Sequence, residues 1–253
     1  MNMNQEVKQQ AGTEKLYHGR SGRNTVQKNI NIALVKWYRF HILTGGRRRI
    51  GMEMVLRNNV EKLNAEFLQV CRDALLQDQA HITDYCRDNF QFVVNGLRNA
   101  LLEGVCVLHD LQERKRKGRL AYLQFSFLMS GIFSNEHLLK IDFYDDRFYG
   151  DPYEIDCYWD YSCLFPEQSQ RQEKMISEVR RKVVKVMDYE LHERFPTYRL
   201  GQMQLLLDLL KRIQAEEKIV SLLSTEADPE IKVIYGVYMG AAQMLFTVKK
   251  EQI

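Results

Sequence analysis

The apolar positions of this chain recur with two different periods, and the change of period divides it into three parts. From Asn24, a residue suited to capping a helix, Val26, Ile30, Leu34, Tyr38 and Ile42 recur at helical spacing until Thr44-Gly45-Gly46 ends the run. Val60, Leu63, Phe67, Val70 and Ala74 form a second stripe. Ile82, Tyr85, Val93, Leu97, Leu101, Val105 and Leu108 form a third. No Gly or Pro separates these two stripes, so residues 54–115 read as one long helix or as two, with ordinary helix lengths favouring a break near Gln77–Ala80. The third stripe ends in Glu113-Arg114-Lys115-Arg116-Lys117-Gly118, cations and a glycine of the kind that terminate helices.

Between Leu120 and Leu164 the period falls to two. Leu120, Tyr122, Gln124 and Ser126 alternate with Ala121, Leu123, Phe125 and Phe127; Leu139, Ile141 and Phe143 alternate with Lys140, Asp142 and Tyr144. Tyr153, Ile155, Cys157, Trp159 and Tyr161 alternate with Glu154, Asp156, Tyr158 and Asp160. Alternation with aromatic enrichment predicts strands at about 120–129, 137–145 and 153–161, paired as an antiparallel meander with one face on a core and one wet, acidic face.

Helical spacing then returns. Pro166-Glu167 opens a helix whose stripe is Ile176, Val179, Val183, Val186 and Leu191, interrupted at Phe195-Pro196. A leucine-rich helix from about Tyr198 carries Leu206, Leu209, Leu210 and Ile213. Asp228-Pro229-Glu230 starts a final helix with Ile231, Ile234, Val237, Ala241, Met244 and Val248, on which Gly236 and Gly240 permit a close helix approach. The expected fold class is therefore α+β: predominantly long α-helices with a small antiparallel three-stranded sheet inserted mid-chain. Residues 1–23, polar and without periodic apolar positions, read as a disordered arm, and residues 24–253 as a single helical domain with the β insert at about 119–164.

Composition changes this picture little. The chain has 253 residues, 45% hydrophobic and 27% charged, with a net charge of +3, too weak a surplus to imply a nucleic-acid partner by itself. The start of the sequence lacks the apolar core of a secretory signal, and the uncharged run at residues 233–248, unsurpassed in length along the chain, is too short for a membrane span. Five cysteines, an odd number, suggest reduced thiols and a cytoplasmic protein without membrane association.

Candidate chemistry concentrates in the alternating segment. Asp142, Asp145, Asp146 and Asp156 could gather oxygen ligands for Mg²⁺ or Ca²⁺, the chemistry a metal-dependent hydrolase would need, although their spacing is not that of a calcium-binding loop. Tyr144, Tyr158, Trp159 and Tyr161 are the expected partner-binding residues, because tyrosine and tryptophan are enriched where interfaces concentrate binding energy. Arg47, Arg48 and Arg49, with Arg114, Arg116, Lys117 and Arg119, could line a phosphate-binding stripe. His81, Asp84 and Asp88 share a helix face, and Asp188 and His192 lie one turn apart. The phosphate-binding loop, the dinucleotide fingerprint and the Gly-x-Ser-x-Gly nucleophile elbow are absent. These features favour a non-enzymatic interaction or assembly module of a multiprotein complex, binding another protein or itself and needing no cofactor, with nucleic-acid binding and metal-dependent hydrolysis as the alternatives.

Overall fold

The computed structural model describes residues 50–250 apart from Asn135 and Asp228, with side chains from Asn59 onward save those of Met129, Ile132 and Phe133. The expected arm at 1–23, the helix from Asn24 and the Arg47-Arg48-Arg49 cluster lie outside the described residues.

The longest element is α1 (Ile50–Glu113), two helical segments meeting at Asn89, whose φ of −118° and ψ of 15° leave the helical region. Asn89 Nδ2 donates to the Tyr85 carbonyl at 3.1 Å, a local side-chain bond of the kind that competes with the helical ladder. The break therefore falls later than Gln77–Ala80. There the chain stays helical because Leu75, Asp78 and Ile82 are all buried along one continuous stripe that runs from Leu63 to Leu108. Val60, expected on that stripe, is exposed.

After α1 come β1 (Tyr122–Phe127), the short α2 (Met129–Ser134), β2 (Leu138–Tyr144) and β3 (Tyr158–Asp160). Helices follow: α3 (Gln168–Lys182), α4 (Asp188–His192), α5 (Phe195–Ile213) and α6 (Glu217–Glu226). The described chain closes with β4 (Glu230–Val237) and β5 (Ala242–Lys249). Helix α5 begins at Phe195-Pro196, where an interruption was expected, because proline fits the first helical turn and has no N–H to lose there.

The expected small three-stranded antiparallel sheet is overturned: the sheet is five-stranded and mixed, in the order β3-β2-β1-β4-β5. The meander β1-β2-β3 is antiparallel as the alternation implied. Strand β4 then inserts parallel to β1, with Tyr122 opposite Lys232 and Phe127 opposite Val237, and β5 turns back antiparallel. The final helix expected from Asp228 is thus a β-hairpin. Ile231, Ile234 and Val237 fit a helical repeat, but Ile231, Val233 and Tyr235 fit a period of two equally well, and β-branched and aromatic residues favour the strand. Gly236 lies in that hairpin, where an added Cβ would collide with the Ala241 carbonyl.

The inner face of the sheet packs on the helices. Leu123, Phe125, Leu139, Ile141, Phe143, Val233 and Tyr235 are all buried. A Cβ at Gly104 would overlap the Phe143 ring, so glycine lets α1 lie directly on β2. Gly201 similarly admits Leu75, drawing α5 against α1, and the Tyr235 hydroxyl donates to the Met203 carbonyl at 2.5 Å. The outer face of β2 is also closed: Lys140, Asp142 and Tyr144 are buried. The wet, acidic face expected of this strand is therefore overturned at its centre, because residues 145–157 fold back over it.

Candidate functional site

The outer face is built by strand register. Tyr158, Lys140 and Ser126 lie side by side across β3, β2 and β1; Asp142 lies beside Gln124, and Tyr144 beside Tyr122. Lys140 Nζ sits 3.0 Å from Asp142 Oδ1, also bonds Glu154 Oε1, and lies 4.2 Å above the Tyr238 ring. Ser126 Oγ donates to Asp142 Oδ2 at 2.8 Å, and the Tyr238 hydroxyl to Glu154 Oε1 at 2.8 Å. The Tyr149 hydroxyl donates to Gln124 Oε1 at 3.1 Å, while the Phe148 ring packs on Tyr122 and Tyr144 with centroids 4.8 and 5.1 Å away. A buried ammonium thus anchors a layer of tyrosines and carboxylates to the sheet.

A second cluster pins both ends of the roof. Lys117 Nζ, fully buried, bonds Asp151 Oδ2 and the Tyr153 carbonyl, the latter at 2.5 Å. Asp151 also accepts from the backbone N–H groups of Asp145 at 3.2 Å and Tyr153 at 3.0 Å. Asp145 takes bonds from the Arg147 guanidinium and from the N–H groups of Arg147 (3.0 Å) and Gly118 (3.3 Å). A side chain at Gly118 would press on Asp145, which gives that glycine a role apart from ending α1; Lys115 takes the left-handed conformation there instead, with φ of 55°.

The two neighbouring carboxylates titrate in opposite directions. Burial pushes Asp142 above the usual carboxylate range, against the pull of Ser126 and Lys140. At Asp145 burial acts upward too, but bonds from Arg147 and Gly118 outweigh it and hold the carboxyl low. Burial, then the charges of Asp156 and Asp142, raise the Tyr158 phenol. The Tyr238 phenol is raised by burial and then by Asp142, Tyr158 and Asp156, which places these groups around one another.

The candidate metal ligands are distributed over this arrangement rather than converging. Asp142 and Asp145 are each held by a cation, Asp156 is exposed, and Asp146 lines a separate cavity of about 560 Å³ with Arg119, Tyr122, Glu230 and Lys232. Among the described residues no group of three or more His, Cys, Asp and Glu is placed to hold a metal ion. Asp84 pairs with Arg87 at 2.7 Å, and Asp188 with Arg180.

Of the expected partner-binding aromatics, Tyr158 is exposed, whereas Trp159 and Tyr161 keep only 4% of their surface and Tyr144 is buried under Phe148. On this layer Tyr149 and Tyr153 join Tyr158 as exposed aromatics, at 39%, 36% and 41%, while Phe92 and Tyr189, more exposed still, lie on the helices α1 and α4. In the basic run, Lys117 is committed to Asp151, and Arg114 pairs with Asp110 at 2.7 Å. Arg116 and Arg119 are exposed. Sequence reasoning grouped Glu154 with the mid-chain acids but missed Lys140, Tyr149 and Tyr238 as members of the same cluster. For Lys140 the outward phase of alternation was the available signal. For Tyr238 there was none while its segment read as helix.

A second buried polar cluster ties the helices together. Asp78 accepts from the Tyr198 hydroxyl at 2.6 Å and Gln202 Nε2 at 2.9 Å and pairs with Arg171 at 3.0 Å. Arg199 bonds Gln202, His137 and the Glu136 carbonyl, fastening the start of β2 to α5. No known protein family, curated protein or solved structure matches this chain.

Proposed function

We propose that this protein is a non-enzymatic interaction module that docks a protein partner on the outer face of its sheet, where β2 and β3 meet residues 145–157. The observation that carries this reading is the exposure of Tyr149, Tyr153 and Tyr158 along residues 149–158, a stretch held down by the ion pairs Lys117–Asp151 and Lys140–Glu154. Tyrosine offers a large apolar contact area with a polar tip and few rotatable bonds, so a pre-set cluster binds at small entropic cost. Asp142 and Asp145, each held by a cation, support that surface from beneath.

The test uses the full chain in size-exclusion chromatography with light scattering, alone and after pull-down. A mass above that of the monomer, or a co-eluting partner, is expected, and Tyr153→Ala/Tyr158→Ala should reduce it with little change in melting temperature. A monomer that captures no partner would overturn the reading.

A further inference from the structure

The inference rests on that reading and narrows the partner's chemistry. We propose that the outer face takes a lysine- or arginine-rich peptide segment of another protein, laid on Tyr149 and Tyr158 with a cation against Asp156. Three observations point this way.

The first is charge. Residues 142–160 hold seven carboxylates, from Asp142 to Asp160, against Arg147 as their only base, and residues 50–253 hold 26 lysines and arginines against 31 aspartates and glutamates. Around Tyr158 and Tyr238, three carboxylates (Asp142, Glu154 and Asp156) are set against the single ammonium of Lys140, so the layer favours a second cation. A phosphate backbone would meet repulsion on the same face.

The second is that the protein already places a cation in this chemistry. The Lys140 ammonium rests on the Tyr238 ring between two carboxylates, and aromatic faces beside carboxylates bind ammonium and guanidinium groups better than either does alone. Tyr158, next to Lys140 in register and two residues from the exposed Asp156 on the same face, again sets an aromatic ring beside a carboxylate, here at the surface.

The third is a buried donor. Gln124 is wholly inaccessible, its Oε1 accepts from Tyr149, and its Nε2 has no partner among the described residues. A buried amide N–H without an acceptor is costly. A peptide carbonyl entering beside the Tyr149 ring supplies the missing acceptor, which a bare metal ion or a polyamine does not.

Fluorescence anisotropy with a labelled octa-lysine peptide tests this, with octa-glutamate as the control. Octa-lysine should bind at low salt and weaken as salt rises, and octa-glutamate should not bind. Asp156→Asn/Tyr158→Ala should weaken octa-lysine binding about tenfold, whereas Tyr158→Phe, which keeps the ring, should bind as the parent does. Asp88→Asn on α1 removes a charge elsewhere and should have little effect; equal weakening by Asp88→Asn would reveal general attraction and overturn the proposal. Asp156→Lys provides a second route if the double variant melts early. Loss of octa-lysine binding is expected there too, and retained binding would overturn the proposal. If octa-lysine fails to bind while partner capture still depends on Tyr158, the basic-segment inference falls alone. If capture also fails, it falls together with the interaction module.

Discussion

Asp142 and Asp145 are separated by two residues, and the difference in their surroundings makes opposite pH dependences. Asp145 is held below its ordinary pKa because Arg147 and Gly118 outweigh burial, so it stabilises the fold above the unfolded-chain value of about 3.9, and that contribution is lost as pH falls through the folded value. Asp145→Asn should lower stability by about 1 kcal/mol at neutral pH, a modest figure because Arg147 is 48% exposed and solvent screens the pair. The gap to the parent protein should close as pH drops below about 4. Asp142, raised by burial, behaves in reverse: its contribution is present below the unfolded value and is lost as pH rises through the folded one. The cost of Asp142→Asn should accordingly be largest in acid and shrink toward neutrality. Thermal melts of both variants across the acid range check the pair, and parallel trends would contradict the arrangement of cations described for them.

At the scale of elements, the contacts that set α1 on the sheet run through positions with no side chain. Gly104→Ala drives a methyl into the Phe143 ring and should cost about 1–3 kcal/mol by overpacking, partly recovered by pairing it with Phe143→Leu, as a double-mutant cycle in urea would show. Such contacts were invisible in the sequence, where Gly104 is one residue inside a helical stripe. The alternation itself was legible from Glu154 onward: Ile155, Cys157, Trp159 and Tyr161 are buried and Glu154, Asp156, Tyr158 and Asp160 exposed, although Tyr153, expected on the face of Ile155, is exposed and only Tyr158–Asp160 pair as strand. Which acids would be solvated was not legible, because the return of residues 145–157 over Lys140 and Asp142 depends on Lys117, far from them in sequence. The β4–β5 hairpin escaped because Gly240, which lies in its turn, read as a helix-packing glycine, and the left-handed position beside it is taken by Met239 at φ of 51°. Met239→Gly should stabilise by about 0.5–1 kcal/mol by removing that left-handed strain.

For the whole molecule, the decisive feature is that the last described strands complete the middle of the sheet. Strand β1 lies between β2 and β4, and its Leu123 and Phe125 are buried, so a chain lacking β4 would present an unpaired, apolar edge at the sheet's centre. Strand β5 is different. It sits at the edge with much of its surface exposed, and its register shift between Val233 and Ile234 leaves Leu245 as an extra residue, a bulge of the kind that discourages further strand pairing. Two truncations separate these roles. Ending the chain after Met239 removes β5 and should leave a cooperative, less stable fold. Ending it after Ala227 also removes Ile231, Val233, Ile234 and Tyr235, each worth about 2 kcal/mol of burial against a total stability of about 5–15 kcal/mol. That shorter chain should lose its near-ultraviolet circular dichroism and melt without a transition, whereas a helix docked independently at the C-terminus would have left the remainder cooperative. Retention of a sharp melt after Ala227 would show that the parallel pairing of β1 with β4 does not hold the core together.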